Sequence, residues 1–523
     1  MAATPVGGGL QRIFQRTPES IAEPVRIYCI GIKGTGMCVL AQLLRHLGAD
    51  VSGSDVAEHF YTDKLLQAGG IPYHEGFSRS QVPENCNLVI YSAAYDHSNP
   101  EYAEARKRQK EGKEPVQMFS YPEALSHISR YYKECLAIAG VHGKTTSTLL
   151  CSALMQGLGL ESSALAGTPD LQGRAYLSQG RELLAVETCE YRNHFLRFDP
   201  GVVLLTSLEW DHQDFFTTYE MMRQSFRDFG TKESVHTLVY CADDPELCKL
   251  VAEIKNANRK PQRTLRFIPY GLSAQGDFAV ARIETLAAET VLSLRAFPAF
   301  PLRLKVPGEH LALNALGALA ALFYSNLVRR RYSGFADFLR REYPQICAGL
   351  ENFRGGTRRS ELLGTIPWGN GIETKNAASG QQGAVWVLDD YAHHPTAIRK
   401  TLAGLRQFYG PERRLVLDFM PHTYSRTINL HDEFSRCFAA ADVLILHDIY
   451  ASAREAEANA YNGRTLWQAV SEIRGDKVYY FPRPLEALPT LKNILLPGDL
   501  FVTMGAGNNR ELALALLAEQ APC

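Results

Sequence analysis

Short apolar runs alternate with helical patterns along most of the chain, in three successive stretches. The first runs from about Val25 to Arg130, the second from the apolar run Cys135–Ala139 to about Gly349, and the third from near Leu350 to the C-terminus. Repeated alternation of strand and helix patterns predicts parallel sheets covered by helices. We therefore expect an α/β fold with three domains, at residues 25–130, 131–349 and 350–523, preceded by a flexible arm over residues 1–24.

Two segments interrupt this alternation. Asn256–Arg263 is polar and basic, and the short alternating runs that follow it, up to Val306, predict an antiparallel patch. Gly364–Gly383 is rich in Gly, Asn and Ser, which predicts a surface loop. The first 24 residues lack the apolar core of a signal peptide, and no run of about 18 apolar residues occurs, so we expect no membrane span.

Composition narrows the classes of partner. The chain has 523 residues and a formal net charge of −1, so nothing global favours binding to nucleic acid. An anionic ligand would have to be held by local groups. The 11 cysteines include no CxxC pair, which is typical of reduced, packed thiols in a cytoplasmic protein.

The first glycine-rich loop follows a predicted strand at Val25–Ile30 and precedes a helical pattern at Met37–Leu47. Such a loop lets the backbone approach a diphosphate at the N-terminus of the helix. Its order is GxxGxG and not the GxGxxG of dinucleotide sites, which disfavours a dehydrogenase; a tight turn without a ligand stays open. The candidate diphosphate-binding residues here are Gly31, Lys33, Gly34, Thr35 and Gly36, with Asp55 after the next predicted strand.

The second glycine-rich loop indicates nucleoside triphosphate chemistry. A strand ending at Ala139 leads into Gly140, Val141, His142, Gly143, Lys144, Thr145 and Thr146, and a helical pattern follows. Backbone N–H groups of such a loop cradle phosphates, the lysine neutralises them, and the first Thr hydroxyl can bind Mg²⁺. We expect ATP as the nucleotide and this loop as its site.

Acidic residues follow the neighbouring predicted strands. Glu187 ends the strand Leu183–Val186 with Glu190 close behind, and Glu209–Asp214 follows the strand Leu204–Leu208. Because the carboxyl ends of parallel strands lie together, Glu187 and His212 are expected near the phosphates with Thr145, as Mg²⁺ ligands. The imidazole is the weaker expectation because Mg²⁺ prefers oxygen, and a helix-capping segment remains the alternative for Glu209–Asp214.

These segments, with several later ones, resemble the Mur ligase family over nearly the whole chain after Pro24. The later segments are Gly308-Glu309-His310 with Asn314, Phe353–Arg359, Asp389–Thr396, Pro421–Thr427, Asp448–Ala451 and Gly505–Asn508. The resemblance implies Rossmann-like first and third domains around a P-loop ATPase-type central domain. It also implies an ATP-dependent ligase that joins the carboxylate of UDP-N-acetylmuramate to L-alanine through an acyl phosphate, releasing ADP and phosphate, in the peptidoglycan synthesis of the cytoplasm.

The same resemblance assigns roles in the third domain. Arg359 would approach the phosphates, Asp390 the ATP ribose and Asn314 the adenine. Tyr391 and His393 would line the reaction centre, and His393 is our candidate for orienting or deprotonating the amine. His422 and Arg426 would face the muramyl substrate, and Tyr450 would also bind substrate. In the first domain, the resemblance adds Met37, Ser54 and Ser92 to the substrate-binding residues. The expected catalytic residues are Lys144, Glu187, His212, Arg359 and His393. We expect the protein to be a monomer or a weak homodimer.

Three other functions remain open at this stage. A recycling ligase that attaches a tripeptide to UDP-N-acetylmuramate would share most motifs, although Asp448–Ala451 favours the alanine enzyme. A nicotinamide-dependent oxidoreductase would leave Gly143-Lys144-Thr145 unexplained. A non-catalytic nucleotide-binding regulator would not need Lys144, Glu187, His212 and Arg359 together.

Overall fold

The computed structural model describes residues 9–15, 23–111, 116–171, 173, 176–178, 180–257, 265–286, 288–367, 383–451, 461–475 and 477–519. These residues form four sheets. The chain divides into two compact units: residues 1–208, 223–269 and 317–345 make up one, and residues 209–222, 270–316 and 346–523 make up the other.

The first sheet has five parallel strands in the order β3-β2-β1-β4-β5. Four of the five residues of the central strand are buried, as expected for a parallel sheet covered on both faces. This is the predicted Rossmann-like arrangement. The elements are α1 (Gly9–Gln15), β1 (Arg26–Ile30), α2 (Thr35–His46), β2 (Asp50–Asp55), α3 (Tyr61–Ala68), β3 (Tyr73–Glu75), β4 (Leu88–Tyr91), α4 (Pro100–Glu111), β5 (Gln117–Ser120) and α5 (Tyr121–Ser129), with a 3₁₀ turn at Arg79–Gln81.

The second sheet has seven strands in the order β12-β11-β10-β6-β9-β7-β8. Its central strands β10, β6, β9 and β7 run parallel, and β8 is antiparallel to β7. The elements are β6 (Glu134–Ala139), α6 (Lys144–Gly157), β7 (Ser162–Leu165), β8 (Tyr176–Ser178), β9 (Leu183–Glu187), β10 (Val202–Leu205), α7 (Tyr219–Gly230), β11 (Thr237–Cys241), α8 (Pro245–Ala257) and β12 (Arg266–Tyr270), with a 3₁₀ segment at Tyr191–Arg197. The strand–loop–helix unit predicted around Lys144 is therefore confirmed.

An antiparallel patch follows, as the alternating runs up to Val306 predicted. Its strands are β13 (Val280–Leu286), β14 (Glu289–Leu294) and β15 (Leu302–Leu304), paired in that order. Three helices come next: α9 (Glu309–Tyr324), α10 (Asn326–Arg329) and α11 (Phe335–Asn352). The basic stretch of the preceding segment lies mostly outside the described residues.

The last sheet has six strands in the order β16-β17-β21-β18-β19-β20, with only the edge strand β16 antiparallel. Apolar residues on both faces of its strands form two core clusters, one on each side of the sheet. The elements are β16 (Glu361–Pro367), β17 (Ala384–Asp390), α12 (Pro395–Tyr409), β18 (Leu415–Met420), α13 (Tyr424–Asn429), α14 (His431–Arg436), β19 (Val443–Leu446), α15 (Gly463–Arg474), β20 (Val478–Tyr480), α16 (Leu488–Ile494), β21 (Leu500–Gly505) and α17 (Arg510–Ala518), with a 3₁₀ turn at Pro484–Ala487.

The N-terminal arm differs from the sequence expectation at residues 9–15, which form α1. Leu10, Ile13 and Phe14 are buried, and the Phe14 ring stacks on Tyr131 with centroids 4.7 Å apart. Arg181 donates to the carbonyl of Phe14 and also lies over its ring. Apolar side chains three to four positions apart were too few here to stand out as a helix in the sequence.

Two further expectations need correction. The strand expected at Leu204–Leu208 is β10, which ends at Leu205, because Thr206 and Ser207 turn their hydroxyls to the backbone of the second glycine-rich loop. The loop expected at Gly364–Gly383 begins later, since Gly364 to Pro367 pair with β17. Residues 368–382 lie outside the described residues. The domain boundary at residue 349 stays a prediction, and that residue lies within α11.

Two global expectations concern membranes and thiols. Among the described residues, no helix combines the length and the apolar character needed to cross a membrane. None of the described cysteines takes part in a disulfide bond, and Cys29, Cys38, Cys135 and Cys151 are buried, as expected of packed thiols.

Candidate active site

The second glycine-rich loop is shaped by glycines that no other residue could replace without strain. Gly140 has φ +135° and Gly143 has φ +81°, in the left-handed region. A Cβ on Gly140 would collide with the hydroxyl of Thr206 and lie 2.9 Å from the backbone N of Ser207. Thr206 donates to the carbonyl of His142 (2.5 Å), and Ser207 Oγ accepts from the His142 N–H (2.8 Å). The loop therefore leads directly into the N-terminus of α6, the end of a helix that favours an anion.

Lys144 begins α6 and is held by the loop itself. Its ammonium donates to the carbonyls of Gly140 (2.5 Å) and Val141 (3.3 Å) and pairs with Glu190, whose side chain is 1% exposed, at 2.9 Å. Burial lowers the pKa of Lys144, but Glu190, Cys189 and Glu187 raise it by more, so the net shift is upward. Lys144 is therefore a charged ammonium at neutral pH.

Glu187 ends β9 beside this loop, with one oxygen fixed. The Gly167 N–H donates to Glu187 Oε2 at 2.8 Å, and a Cβ on Gly167 would lie 2.7 Å from that oxygen. Thr145 is buried in the first turn of α6. We call Gly140–Thr146 with Glu187 and Glu190 the phosphate-loop cluster. A hydroxyl and a carboxylate are the hard oxygen donors that suit Mg²⁺.

The first glycine-rich loop joins β1 to α2 through close contacts. Gly31 has φ +85°, and a Cβ there would lie 2.7 Å from the ring of Tyr95. A Cβ on Gly36 would lie 2.7 Å from the hydroxyl of Tyr121. Asp55, at the end of β2, accepts from the Lys33 N–H (2.7 Å) and from the Tyr95 hydroxyl (2.9 Å). Asp55 thereby fixes the loop from inside the domain.

The Lys33 side chain is buried in the first domain. Its ammonium donates to the carbonyls of Val56 (3.0 Å) and Glu58 (3.1 Å) and lies 3.4 Å from Asp63 and 3.3 Å from Glu75. Burial lowers the pKa of Lys33, and Glu75 with Asp63 raises it by more. The ammonium thus shapes the chain after β2, and its direct contact with a substrate stays a prediction.

A second cluster surrounds Asp211, which is 8% exposed. Arg426 Nη2 lies 3.1 and 3.2 Å from the two Asp211 carboxylate oxygens, and its Nε lies 3.3 Å from one of them. Burial raises the pKa of Asp211, but Arg426 and the imidazoles of His212, His393 and His394 hold it well below its usual value. We call these five residues the histidine cluster.

His212 has φ +54°, which is uncommon for a residue with a side chain. Its N–H donates to Asp211 Oδ1 at 2.8 Å, and its carbonyl accepts from the N–H groups of Phe215 and Phe216. Such conformations concentrate at functional sites, where surrounding bonds hold them. The positive φ of His212 therefore agrees with the prediction that it is a site residue. Its role as a metal ligand stays a prediction.

Four aromatic rings form a row from β17 to the end of β19. Tyr391 and His393 have ring centroids 5.2 Å apart, His393 and His422 6.1 Å, and His422 and Tyr450 6.1 Å. The carbonyl of Tyr391 accepts at 2.9 Å from His393 Nδ1, which must therefore carry the proton. Burial and Arg426 lower the pKa of His393 well below its usual value, so the ring is neutral with Nε2 as an acceptor.

Comparison with known proteins finds similarity along nearly the whole chain. Models of the Mur ligase family match in three parts: the catalytic domain at residues 26–133, the middle domain at 138–322 and the glutamate ligase domain at 376–507. The UDP-N-acetylmuramate–L-alanine ligase of Treponema pallidum (strain Nichols) is 40% identical over 497 residues, covering 94% of this chain and 96% of the relative. The chain belongs to the Mur ligase family.

Solved structures of Mur ligases have the same fold. The UDP-N-acetylmuramate–alanine ligase of Thermotoga maritima superposes with a TM-score of 0.72 at 22% identity, covering 94% of this chain and 98% of the other. A murein peptide ligase from Psychrobacter arcticus superposes with a TM-score of 0.62 at 20% identity, covering 95% and 99%. These likenesses confirm the predicted three-domain α/β fold.

Three residues expected from the Mur ligase resemblance, Arg359, Asp390 and Tyr391, lie around the turn that precedes β16. Asp390 accepts from the N–H groups of Ser360 (2.7 Å) and Ala392 (2.8 Å), and Arg359 lies over the Tyr391 ring, 5.1 Å from its centroid. Burial raises the pKa of Asp390, with Arg359 opposing. Arg358 and Ser360 have φ values of +58° and +50°, so the strain of this turn is held by Asp390.

The other predicted residues lie in helices, strands and loops of both parts of the chain. Asn314 is half-buried in α9, one turn after His310. Met37 and Ser54 are buried, and Ser54 donates to Glu101. Tyr61 donates to Thr35 Oγ1 at 3.1 Å, and the Ala94 N–H to Ser92 Oγ at 3.3 Å.

Sequence reasoning missed the partners of the predicted residues. Asp211 was noticed only as part of a segment, yet it carries the ion pair to Arg426. Glu190 was noted near Glu187 without its pairing to Lys144. Each acid lies within three residues of a predicted site residue. The sequence could have indicated these partners only through a carboxylate in such a segment to which no role had been given.

Proposed function

We propose that this Mur ligase forms an amide between the carboxylate of UDP-N-acetylmuramate and the amine of L-alanine, using ATP, in the cytoplasmic synthesis of peptidoglycan precursors. The observation that carries the proposal is the likeness, over nearly the whole chain, to ligases of that name. The charged loop lysine and the neutral imidazole of His393 are the side chains such a reaction needs.

The reaction has two chemical steps. A carboxylate oxygen attacks the γ-phosphorus of ATP, the bond from that phosphorus to the β–γ bridging oxygen breaks, and ADP leaves. The amine nitrogen of L-alanine then attacks the carbonyl carbon of the acyl phosphate and loses a proton. The bond from that carbon to the phosphate oxygen breaks, and phosphate leaves. Both steps depend more on positioning and charge neutralisation than on covalent help from the protein.

Lys144 is the cation for the first step in this proposal. Its ammonium donates to two carbonyls of the loop and to Glu190. A triphosphate bound in the loop would offer the ammonium a more highly charged partner and would replace these contacts. Arg359, whose guanidinium lies over Tyr391, supplies a second positive charge.

Mg²⁺ is proposed as the metal because the donors present fit it. Thr145 offers a hydroxyl and Glu187 a carboxylate whose orientation the Gly167 N–H fixes. His212 is proposed as a further ligand. When bound, the ion neutralises charge on the phosphate oxygens.

His393 is proposed to receive the proton of the amine. The Nδ1 proton is committed to the Tyr391 carbonyl, so Nε2 holds the lone pair. Arg426 and His422 would bind carboxylate or hydroxyl groups of the substrates, and Asp211 orients Arg426. Asn314 and Asp390 are proposed on the adenosine side, and the loop from Gly31 to Met37 with Ser54, Asp55 and Ser92 on the uridine diphosphate side.

The test incubates purified protein with ATP, Mg²⁺, UDP-N-acetylmuramate and one amino compound at a time. Phosphate release and product mass are followed. We expect release with L-alanine, with ADP as the other product. Release with the tripeptide L-alanyl-γ-D-glutamyl-meso-diaminopimelate and not with L-alanine would instead establish the recycling reaction, and formation of AMP would exclude an acyl phosphate.

A further inference from the structure

A buried polar group lies beneath the end of the aromatic row. His447 and Asp418 are both fully buried, and His447 Nε2 lies 2.5 Å from Asp418 Oδ2. Asn509, also buried, donates to Asp418 Oδ1 at 2.9 Å and to the carbonyl of Met504 at 3.0 Å. None of these three residues has a place in the reaction described so far.

The partners of His447 indicate which of its ring nitrogens carry protons. His447 Nδ1 lies 2.8 Å from the carbonyl of Phe481, which can only accept, so Nδ1 carries a proton. Nε2 lies 2.5 Å from a carboxylate oxygen of Asp418. Burial lowers the pKa of His447, but Asp418 and the Phe481 carbonyl raise it by more, which favours an imidazolium paired with a carboxylate. Asp448, whose oxygen accepts from Tyr480, is the other charged neighbour on the chain.

This ion pair ties together the segments that carry His422 and Tyr450. Asp418 lies in β18, four residues before His422, and His447 follows β19, three residues before Tyr450. The backbones at His422 and Tyr450 form a parallel bridge, in which the Tyr450 N–H donates to the Pro421 carbonyl at 2.8 Å. A change in spacing at Asp418 and His447 would thus pass directly to the two rings.

We propose that Asp418, His447 and Asn509 form a positioning group that sets the spacing of His422 and Tyr450. Tyr450 belongs to the segment Asp448–Ala451, which favours the alanine enzyme, so this group determines the affinity for the amino acid substrate. The inference rests on the proposed function. A buried ion pair adds little net stability over apolar residues of similar size. What the ion pair contributes here is a fixed distance between two neighbouring segments. Such a distance matters because a displacement of about 1 Å in a site can change rates by up to about 100-fold.

The test is the double variant Asp418→Leu/His447→Leu, which removes both charges and leaves Asn509 its bond to Met504. We expect the KM for L-alanine to rise about tenfold. Hydroxylamine, a small amine, captures the acyl phosphate as a hydroxamate without needing the alanine pocket. Hydroxamate formation without L-alanine is expected to stay within about twofold of the wild type. If the double variant does not fold, Asp418→Asn keeps the size and is expected to raise the KM in the same direction.

A matched control lies at the opposite ends of the same sheet strands. Asp499, 3% exposed and next to β21, pairs at 2.7 Å with Arg414, next to β18. Asp499→Asn is expected to leave the KM for L-alanine unchanged. The inference is overturned by an unchanged KM in the double variant, by an equal fall in hydroxamate and amide formation, or by the same KM rise in the control. A wild type that forms neither product overturns the proposed function and this inference with it.

Discussion

The phosphate-loop cluster and the histidine cluster hold their charged groups by different means. In the first, backbone geometry dominates: glycines with positive φ shape the loop, and one ion pair holds Lys144 to Glu190. In the second, side chains dominate: Asp211 and Arg426 pair while three imidazoles surround the carboxylate. The first cluster keeps Lys144 charged, and the second keeps His393 neutral beside the charged Asp211 and Arg426.

The two clusters also differ in how far apart their residues lie in the sequence. Seven consecutive residues form the phosphate loop, whereas the histidine cluster brings together residues 211–212, 393–394 and 426. A short motif can therefore identify the first cluster, and only packing creates the second. Substitutions in each cluster should affect different steps and different pH ranges.

The largest expected effect is in the phosphate-loop cluster. Lys144→Met removes the cation proposed for phosphoryl transfer, and amide formation should fall about 1000-fold. The matched control is Lys133→Met, which removes an exposed lysine paired with Glu182 at 2.6 Å and should change the rate by less than about twofold. The measurement is the rate of ADP formation at saturating substrates. Equal rates for Lys144→Met and the wild type would contradict the role of the loop.

The next largest expected effect comes from removing the buried carboxylate of the histidine cluster, compared with removing an exposed carboxylate. Asp211→Asn leaves the buried Arg426 guanidinium without its carboxylate, and kcat/KM should fall about 30- to 1000-fold, as when one partner of a buried charge pair is removed. Asp199→Asn breaks exposed pairs with Arg130 (3.2 Å) and Lys232 (3.0 Å) and should have little effect. A similar loss in both variants would show that Asp211 has no special role.

The smallest effect is on stability, and the direction of pH change that removes it differs between the clusters. The pKa of Asp211 is lowered, so its stabilisation is present at neutral pH and is lost as the pH falls through a value well below 3.8. The pKa of Lys144 is raised, so its stabilisation is lost only as the pH rises through a value above 10.5. Relative to the wild type, Tm differences of about 2 °C should disappear in acid for Asp211→Asn and in alkali for Lys144→Met. The same pH trend for both variants in thermal scans would contradict the assigned pKa shifts.

Much of the fold followed from local pattern. The strands before both glycine-rich loops were placed within a residue or two, because a buried run followed by glycine and a helix has few alternatives. The antiparallel patch was also predicted correctly. The helix α1 was missed because its apolar positions are few, and its packing on Tyr131 depends on a residue over a hundred positions away.

The site was predicted less completely than the fold. Sequence placed Lys144 and Glu187 from spacing alone, but the pairing of Arg426 with Asp211 joins residues 215 positions apart and leaves no local pattern. The end of β10 was misplaced because Thr206 and Ser207 look like strand residues, yet bond to the loop at His142. Charge pairs depend on tertiary packing, which a single sequence does not display.

The most direct test of the central claim follows oxygen from the carboxylate. UDP-N-acetylmuramate labelled with ¹⁸O in its carboxylate is incubated with ATP, Mg²⁺, L-alanine and the protein, and the phosphate released is analysed by mass spectrometry. Transfer through an acyl phosphate predicts one ¹⁸O atom in each phosphate released with the amide. Amide formation with unlabelled phosphate would contradict the account.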